Sequence, residues 1–127
     1  MQQNHNSNRR KTGSLAEEYA KNILEKSGYS LLCRNYTCKG GEADLIVTKD
    51  KYICFVEVKM RAILSENSAS EAVDCKKISR IKLCIENFFR EYSDNEYITS
   101  LIPRIDIFEV YTYNGTVTKY NHIPAIT

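Results

Sequence analysis

Two apolar stretches of the chain, Ala43 to Thr48 and Tyr52 to Val58, are rich in Ile, Val, Leu, Phe and Tyr, and are separated by Lys49, Asp50 and Lys51. This pattern predicts a β-hairpin. A tight turn centred on Asp50 and Lys51 pairs Lys49 with Tyr52 and, counting outward, Asp44 with Glu57 and Glu42 with Lys59. Because residues two apart on a strand share a face, all four charged groups project to one side. Ile46, Ile53 and Phe55 lie on that side, and Leu45, Val47, Cys54, Val56 and Val58 on the other. A strand apolar on both faces is covered on both faces.

The remaining pattern supplies the cover. Ser14-Leu15-Ala16-Glu17 has the form of a capping box, and opens a helix expected to reach Ser27 and stop at Gly28, with an apolar stripe of Ala16, Tyr19, Ala20, Ile23 and Leu24. Tyr29 to Tyr36 reads as a strand, and Gly40-Gly41 allows a close entry into the hairpin. After a loop from Ala62 to about Ser68, Ser68-Ala69-Ser70-Glu71 opens a second helix with the stripe Ile78, Ile81, Ile85, Phe88 and Tyr92. Ser93 to Ser100 is polar and reads as a connection, and Pro103 leads into a strand at Ile105 to Thr112. Asn114-Gly115 predicts a type I′ turn before a last strand, Thr116 to His122. The expected fold is α/β, in α-β-β-β-α-β-β order, with a mixed central sheet of about five strands flanked by helices. Residues 1–11 read as a loose polar tail and residues 12–127 as one domain.

Composition narrows the function classes. The content of 43% apolar and 27% charged residues is that of an ordinary globular chain. No apolar run approaches the ~20 residues of a membrane span, and MQQNHNSNRRK lacks a signal-peptide core, so the expected compartment is the cytoplasm. Five cysteines without a C-x-x-C pair, together with only two histidines, argue against structural zinc. The net charge of +2 excludes a strong polyelectrolyte binder, although residues 1–40 hold seven Lys/Arg against three Glu. A basic segment near an acidic metal site suits a nucleic-acid backbone, and it also serves as an ordinary solvated face.

The hairpin carries the candidate chemistry. Opposed Cβ atoms lie about 4.5–5.5 Å apart, and like charges set opposite each other destabilise a sheet, so Asp44 facing Glu57 asks for a cation. Two acidic oxygen donors suit Mg²⁺ or Mn²⁺, which retain waters for a phosphate substrate. Lys59 beside them can hold an attacking water or offset charge on phosphate oxygens, with Glu42 as its cross-strand ion pair. A surface hairpin with solvated carboxylates is the alternative reading. Glu17 lies on the border of the first helix's stripe and either reaches inward as a third carboxylate or serves only the cap. Lys77, at the edge of the second helix's stripe, either leans over the sheet towards a phosphate or snorkels from the core border.

Asp44 followed by Glu57-Val58-Lys59 resembles the D…(D/E)xK signature of the restriction-endonuclease-like nuclease superfamily. More broadly, the chain from about Arg9 onward resembles the YraN family of predicted endonucleases. The matching segments are Gly13 with Ala16 to Ala20, Gly28-Tyr29, Arg34-Asn35-Tyr36, Gly41 to Ile46, Phe55 to Lys59 with Arg61, Glu71-Ala72-Val73 with Lys77, and Arg104-Ile105-Asp106. The resemblance implies a restriction-endonuclease-like fold and metal-dependent hydrolysis of phosphodiester bonds in DNA, with branched or damaged structures among the candidate substrates. It implies that Asp44, Glu57 and the Val58 carbonyl hold Mg²⁺ or Mn²⁺, that Lys59 is catalytic, and that Glu17 completes a second metal position. Glu42, Arg61 and Lys77 would support the site or bind phosphate. The expected partner is nucleic acid, with a homodimer suited to cutting both strands. A non-catalytic nucleic-acid-binding module and a protein-interaction domain are the alternative readings.

Overall fold

The computed structural model describes residues 7–63 and 75–126. The elements in chain order are α1 (Ser7–Lys26), β1 (Ser30–Cys38), β2 (Gly41–Lys49), β3 (Tyr52–Ala62), α2 (Cys75–Glu91), α3 (Glu96–Ser100), β4 (Ile102–Tyr113) and β5 (Thr116–Ile126). The five strands form one sheet in sequence order. β3 and β4 are parallel and the other neighbours antiparallel, so this is a mixed α/β architecture consistent with the restriction-endonuclease-like fold. The parallel step requires a crossover, and α2 lies within it.

Each helix covers one face of the sheet. Ala16, Ala20 and Leu24 of α1 pack on Leu45, Val47, Cys54, Val56, Phe108 and Val110. Ile81, Cys84 and Phe88 of α2 pack on Ala43, Ile46, Ile53, Phe55 and Ile105. The two faces of β3 are therefore both buried, as its unbroken apolar run requires. Phe88 anchors the α2 side, meeting Tyr36 and Phe55 edge-on at centroid distances of 5.2 and 5.7 Å. Gly41 lets the α2 backbone approach the sheet, because a Cβ there would overlap the Arg80 carbonyl oxygen.

Several boundaries differ from expectation. α1 begins at Ser7, ahead of Ser14 and within the segment read as a tail. The second capping box, Ser68 to Glu71, lies outside the described residues. α3 was not expected; it is a single short turn capped by the Asn95 side chain, which accepts the Ile98 amide hydrogen at 3.0 Å. Asn114 and Gly115 both have positive φ, +50° and +77°, as a type I′ turn demands. Among the described residues no helix is long and apolar enough to cross a membrane.

A polar cluster is buried on the α1 side of β4. Asp106 is fully buried and takes two hydrogen bonds from Arg104, both at 2.8 Å, and one contact from His122 Nε2 at 2.7 Å. Arg104 also donates to Tyr29 Oη at 2.8 Å and lies over the Tyr52 ring. Burial pushes the Asp106 carboxyl up, but the hydrogen bonds from His122 and Arg104 outweigh it and hold the group below its usual value. Asp106 thus ties β4 and β5 to the start of β1, a structural role for the Arg104-Ile105-Asp106 motif.

Two outcomes follow from these contacts. Asp106→Asn should cost about 3–5 kcal/mol in urea unfolding, because Arg104 is left without its buried partner. Since the folded carboxyl is depressed, its contribution is complete above the unfolded value of about 3.9 and fades as pH falls through the lower folded value. Acid titration should accordingly show a stability loss below about pH 4 that is smaller in Asp106→Asn. Gly41→Ala should cost about 1–3 kcal/mol by forcing α2 off the sheet, measured by the same unfolding curves.

Candidate functional site

The acidic residues sit where β2 and β3 part. The expected register holds from Lys49↔Tyr52 to Leu45↔Val56, where the recorded pairing ends. Just beyond, Asp44 Oδ2 accepts the Val58 amide hydrogen at 2.7 Å, so a side chain takes over from the ladder. On the other flank of β2, the pairs Arg34↔Leu45 and Tyr36↔Ala43 straddle Asn35 and Asp44. Asn35 is left-handed, with φ +53°. The facing of the strand slips here: Ala43 belongs to the α2-side core and Leu45 to the α1-side core, although residues two apart ordinarily share a face. Asp44 therefore occupies a fork in the sheet, open towards both helices.

The predicted square of charges is half-formed. Asp44 and Glu57 do meet, closely enough for the charge of Asp44 to raise the Glu57 pKa. Glu42 and Lys59 are not ion-paired among the described residues, because β2 has already left the β3 ladder. Glu42 instead faces Lys77 of α2, with Oε1 4.0 Å from the ammonium. Lys77 comes closer to Glu57, at 3.3 Å from Oε2. Lys59 lies near enough for its charge to lower the Glu57 pKa.

Glu57 is only 4% exposed, and its Oε1 is buried without a hydrogen-bond partner. Burial first, and then the charge of Asp44, push the Glu57 carboxyl up to about 7. Burial likewise raises Asp44, although the Val58 amide and Lys77 act against it. Glu17, projecting from α1, is also lifted to about 7 by its own burial and by Asp44, against the opposing effects of Arg34 and Asn35. Glu18, one position on, points outward and pairs with Arg34 at 2.9 Å. Three carboxyl groups from α1, β2 and β3 are thus crowded enough to disfavour their own ionisation. Among the described residues, however, no three His, Cys, Asp or Glu side chains converge as a ready-made metal cluster. A cation held here would take few protein oxygens and draw its other ligands from water or substrate, as Mg²⁺ commonly does.

Arg61 extends the site along β3, but it is committed to a partner. Its Nε lies 2.9 Å from Glu109 Oε2, and Glu109 also accepts hydrogen bonds from Tyr111 at 3.0 Å and Asn121 at 3.3 Å. Those bonds hold the Glu109 carboxyl below its usual value despite its burial. Glu109 was missed from sequence, whereas Asn35 was singled out only within the matching segment Arg34-Asn35-Tyr36. A second carboxylate, after Asp106, inside the otherwise apolar strand Ile105 to Val110 was a usable signal for the first; for the left-handed backbone of the second, the only local signal is the tolerance of asparagine for that region.

Comparison with known proteins gives the family. The model of the uncharacterised protein family UPF0102 matches residues 16–110, which span every site residue named above except Asn121 and Tyr111. A UPF0102 protein of Carboxydothermus hydrogenoformans is 35% identical over 81% of this chain and 84% of its own. One from Caldanaerobacter subterraneus subsp. tengcongensis is 38% identical over 91% of this chain and 93% of its own. A third, from Clostridium perfringens, is 36% identical over 77% of each. The chain belongs to the uncharacterised protein family UPF0102.

Proposed function

We propose that the protein is a metal-dependent endonuclease that hydrolyses phosphodiester bonds in DNA, with Mg²⁺ or Mn²⁺ held at the fork between β2 and β3. The observation that carries this reading is the Glu57 oxygen buried without a partner beside a second carboxylate. A carboxylate oxygen in that position costs stability unless a donor or cation meets it. The donor set is all oxygen, which suits a hard divalent ion. Asp44 and Glu57 would hold the ion with the Val58 carbonyl, and Glu17 would serve a second position. When bound, the ion would supply Lewis-acid polarisation of a phosphate oxygen and easier ionisation of water.

The chain's own residues do the rest. Lys59, on the same side of β3 as Glu57, orients the attacking water and offsets charge growing on the phosphate. The Val58 amide fixes the Asp44 carboxylate, leaving its other oxygen to face the ion. Glu109 holds Arg61 at the margin of the site, where its guanidinium can steer a phosphate chain. A non-catalytic nucleic-acid-binding module leaves the buried carboxylate pair without a purpose, since acids facing a phosphate chain weaken binding.

Thermal melting tests the metal site directly. Mn²⁺ should raise the melting temperature of the parent and leave that of Asp44→Ala or Glu57→Ala unchanged, because only native-state binding stabilises. Cleavage should then be assayed on duplex, single-stranded and four-way DNA. Lys59→Ala should lower turnover by about a hundredfold or more, and activity undiminished in purified Glu57→Ala would overturn the proposal.

A further inference from the structure

The acidic site already contains a cation, and that cation is part of the protein. Lys77 Nζ lies 3.3 Å from Glu57 Oε2 and 4.0 Å from Glu42 Oε1. It comes from α2, on the opposite side of the sheet from the helix that carries Glu17. Glu57 is therefore neutralised at one oxygen while the other stays unpartnered. On the far side of the pair, Asp44 is held by the Val58 amide, which carries no net charge.

A divalent ion bound to a carboxylate sits about 2.0–2.1 Å from its oxygen. An ammonium retained on the same small group would then face two like charges a few ångströms away, in a place where water screens poorly. Ion and ammonium cannot both keep their closest positions. We propose that Lys77 is an exchangeable counter-ion: it occupies the acidic pair while the site lacks metal and withdraws when a divalent ion enters. This rests on the metal-site reading above.

The fold makes the exchange a side-chain movement. α2 is fixed by Ile81, Cys84 and Phe88 in the core and by Gly41 under the Arg80 carbonyl. Lys77 has a flexible four-carbon stem, and its side chain keeps 23% exposure, so the ammonium has a way out to water. Glu42, 54% exposed, stands beside that exit and can receive the displaced charge. The two lysines thus divide the work: Lys59 remains beside the ion, and Lys77 gives up its place to it.

The exchange predicts that removing Lys77 improves metal binding, the reverse of what loss of a supporting residue would do. Mn²⁺ binding to metal-free protein at pH 8 should be measured by isothermal titration calorimetry for the parent, Lys77→Met, Lys77→Arg, Lys82→Met and Glu57→Ala. Lys77→Met should bind roughly tenfold tighter than the parent, the scale of one partly buried ion pair that no longer has to be broken. Lys77→Arg should stay close to the parent. Lys82 is an exposed lysine on the same helix, so Lys82→Met makes the same change of net charge away from the acids and should also match the parent. Tightening of equal size in Lys82→Met, or binding by Lys77→Met no tighter than the parent's, would overturn the exchange. A metal-free melting temperature lowered in Lys77→Met and restored in Lys77→Arg would support the ion pair independently. Parent binding that is lost in Glu57→Ala but unimproved in Lys77→Met sinks the exchange alone. Absence of parent binding, or its survival in Glu57→Ala, sinks the metal site and the exchange together.

Discussion

A carboxylate withdrawn from water with one oxygen unmet is the constraint around which this fold is arranged. Glu57 lies on the central strand, shut in by the sheet and by α2, with Asp44 pressed against it. Asp44 is tied to the Val58 amide, and the backbone of Glu57 is held by the β3–β4 pairing. The structure keeps an unfavourable arrangement in place by surrounding it with favourable ones. Two apolar cores, one on each face of the sheet, supply the stability that the fork gives up.

The fork also explains how groups on opposite faces share one site. A regular strand sends successive side chains to alternate sides, and a continuous sheet would keep Glu17 of α1 apart from Lys77 of α2. At Asp44 the β2–β3 ladder has ended and the strand changes the face that it presents to each helix, Ala43 to α2 and Leu45 to α1. Asp44 is consequently close enough to influence Glu17 and Glu57 alike. The Arg61–Glu109 pair lies further along, where β3 has only β4 beside it.

The sequence was informative where one rule governs a long stretch. The tight turn at Asp50 and Lys51 set the hairpin register, and Leu45↔Val56 through Lys49↔Tyr52 bear it out. The helical stripe containing Ile81 and Phe88 was equally legible, as was the border position of Glu17. Legibility failed where a side chain competes with the backbone. Extending the ladder outward paired Glu42 with Lys59, but Asp44 captures the Val58 amide and ends the ladder first. The early start of α1 has no apolar periodicity to reveal it, and α3 is too short to have a period. Arg61 meeting Glu109 depends on the β3–β4 pairing, which joins segments far apart in the chain, and Asp106 meeting His122 depends on a β4–β5 register that shifts between Ile105 and Ile107.

The parallel pairing of β3 with β4 has a further consequence. β2 reaches β3 through a tight turn, whereas Tyr52 meets Ile102 only after the whole α2 crossover. Closing so long a loop is slow compared with forming a hairpin, so during synthesis β3 spends time with one edge bare. Its first half, Tyr52 to Val56, is the kind of apolar segment that recruits strands from other molecules. Glu57, Lys59 and Arg61 follow it on the same strand, and charges flanking an apolar run discourage such recruitment. The ionisable groups at the heart of the site would thereby shield the nascent chain from self-association before any ligand is present.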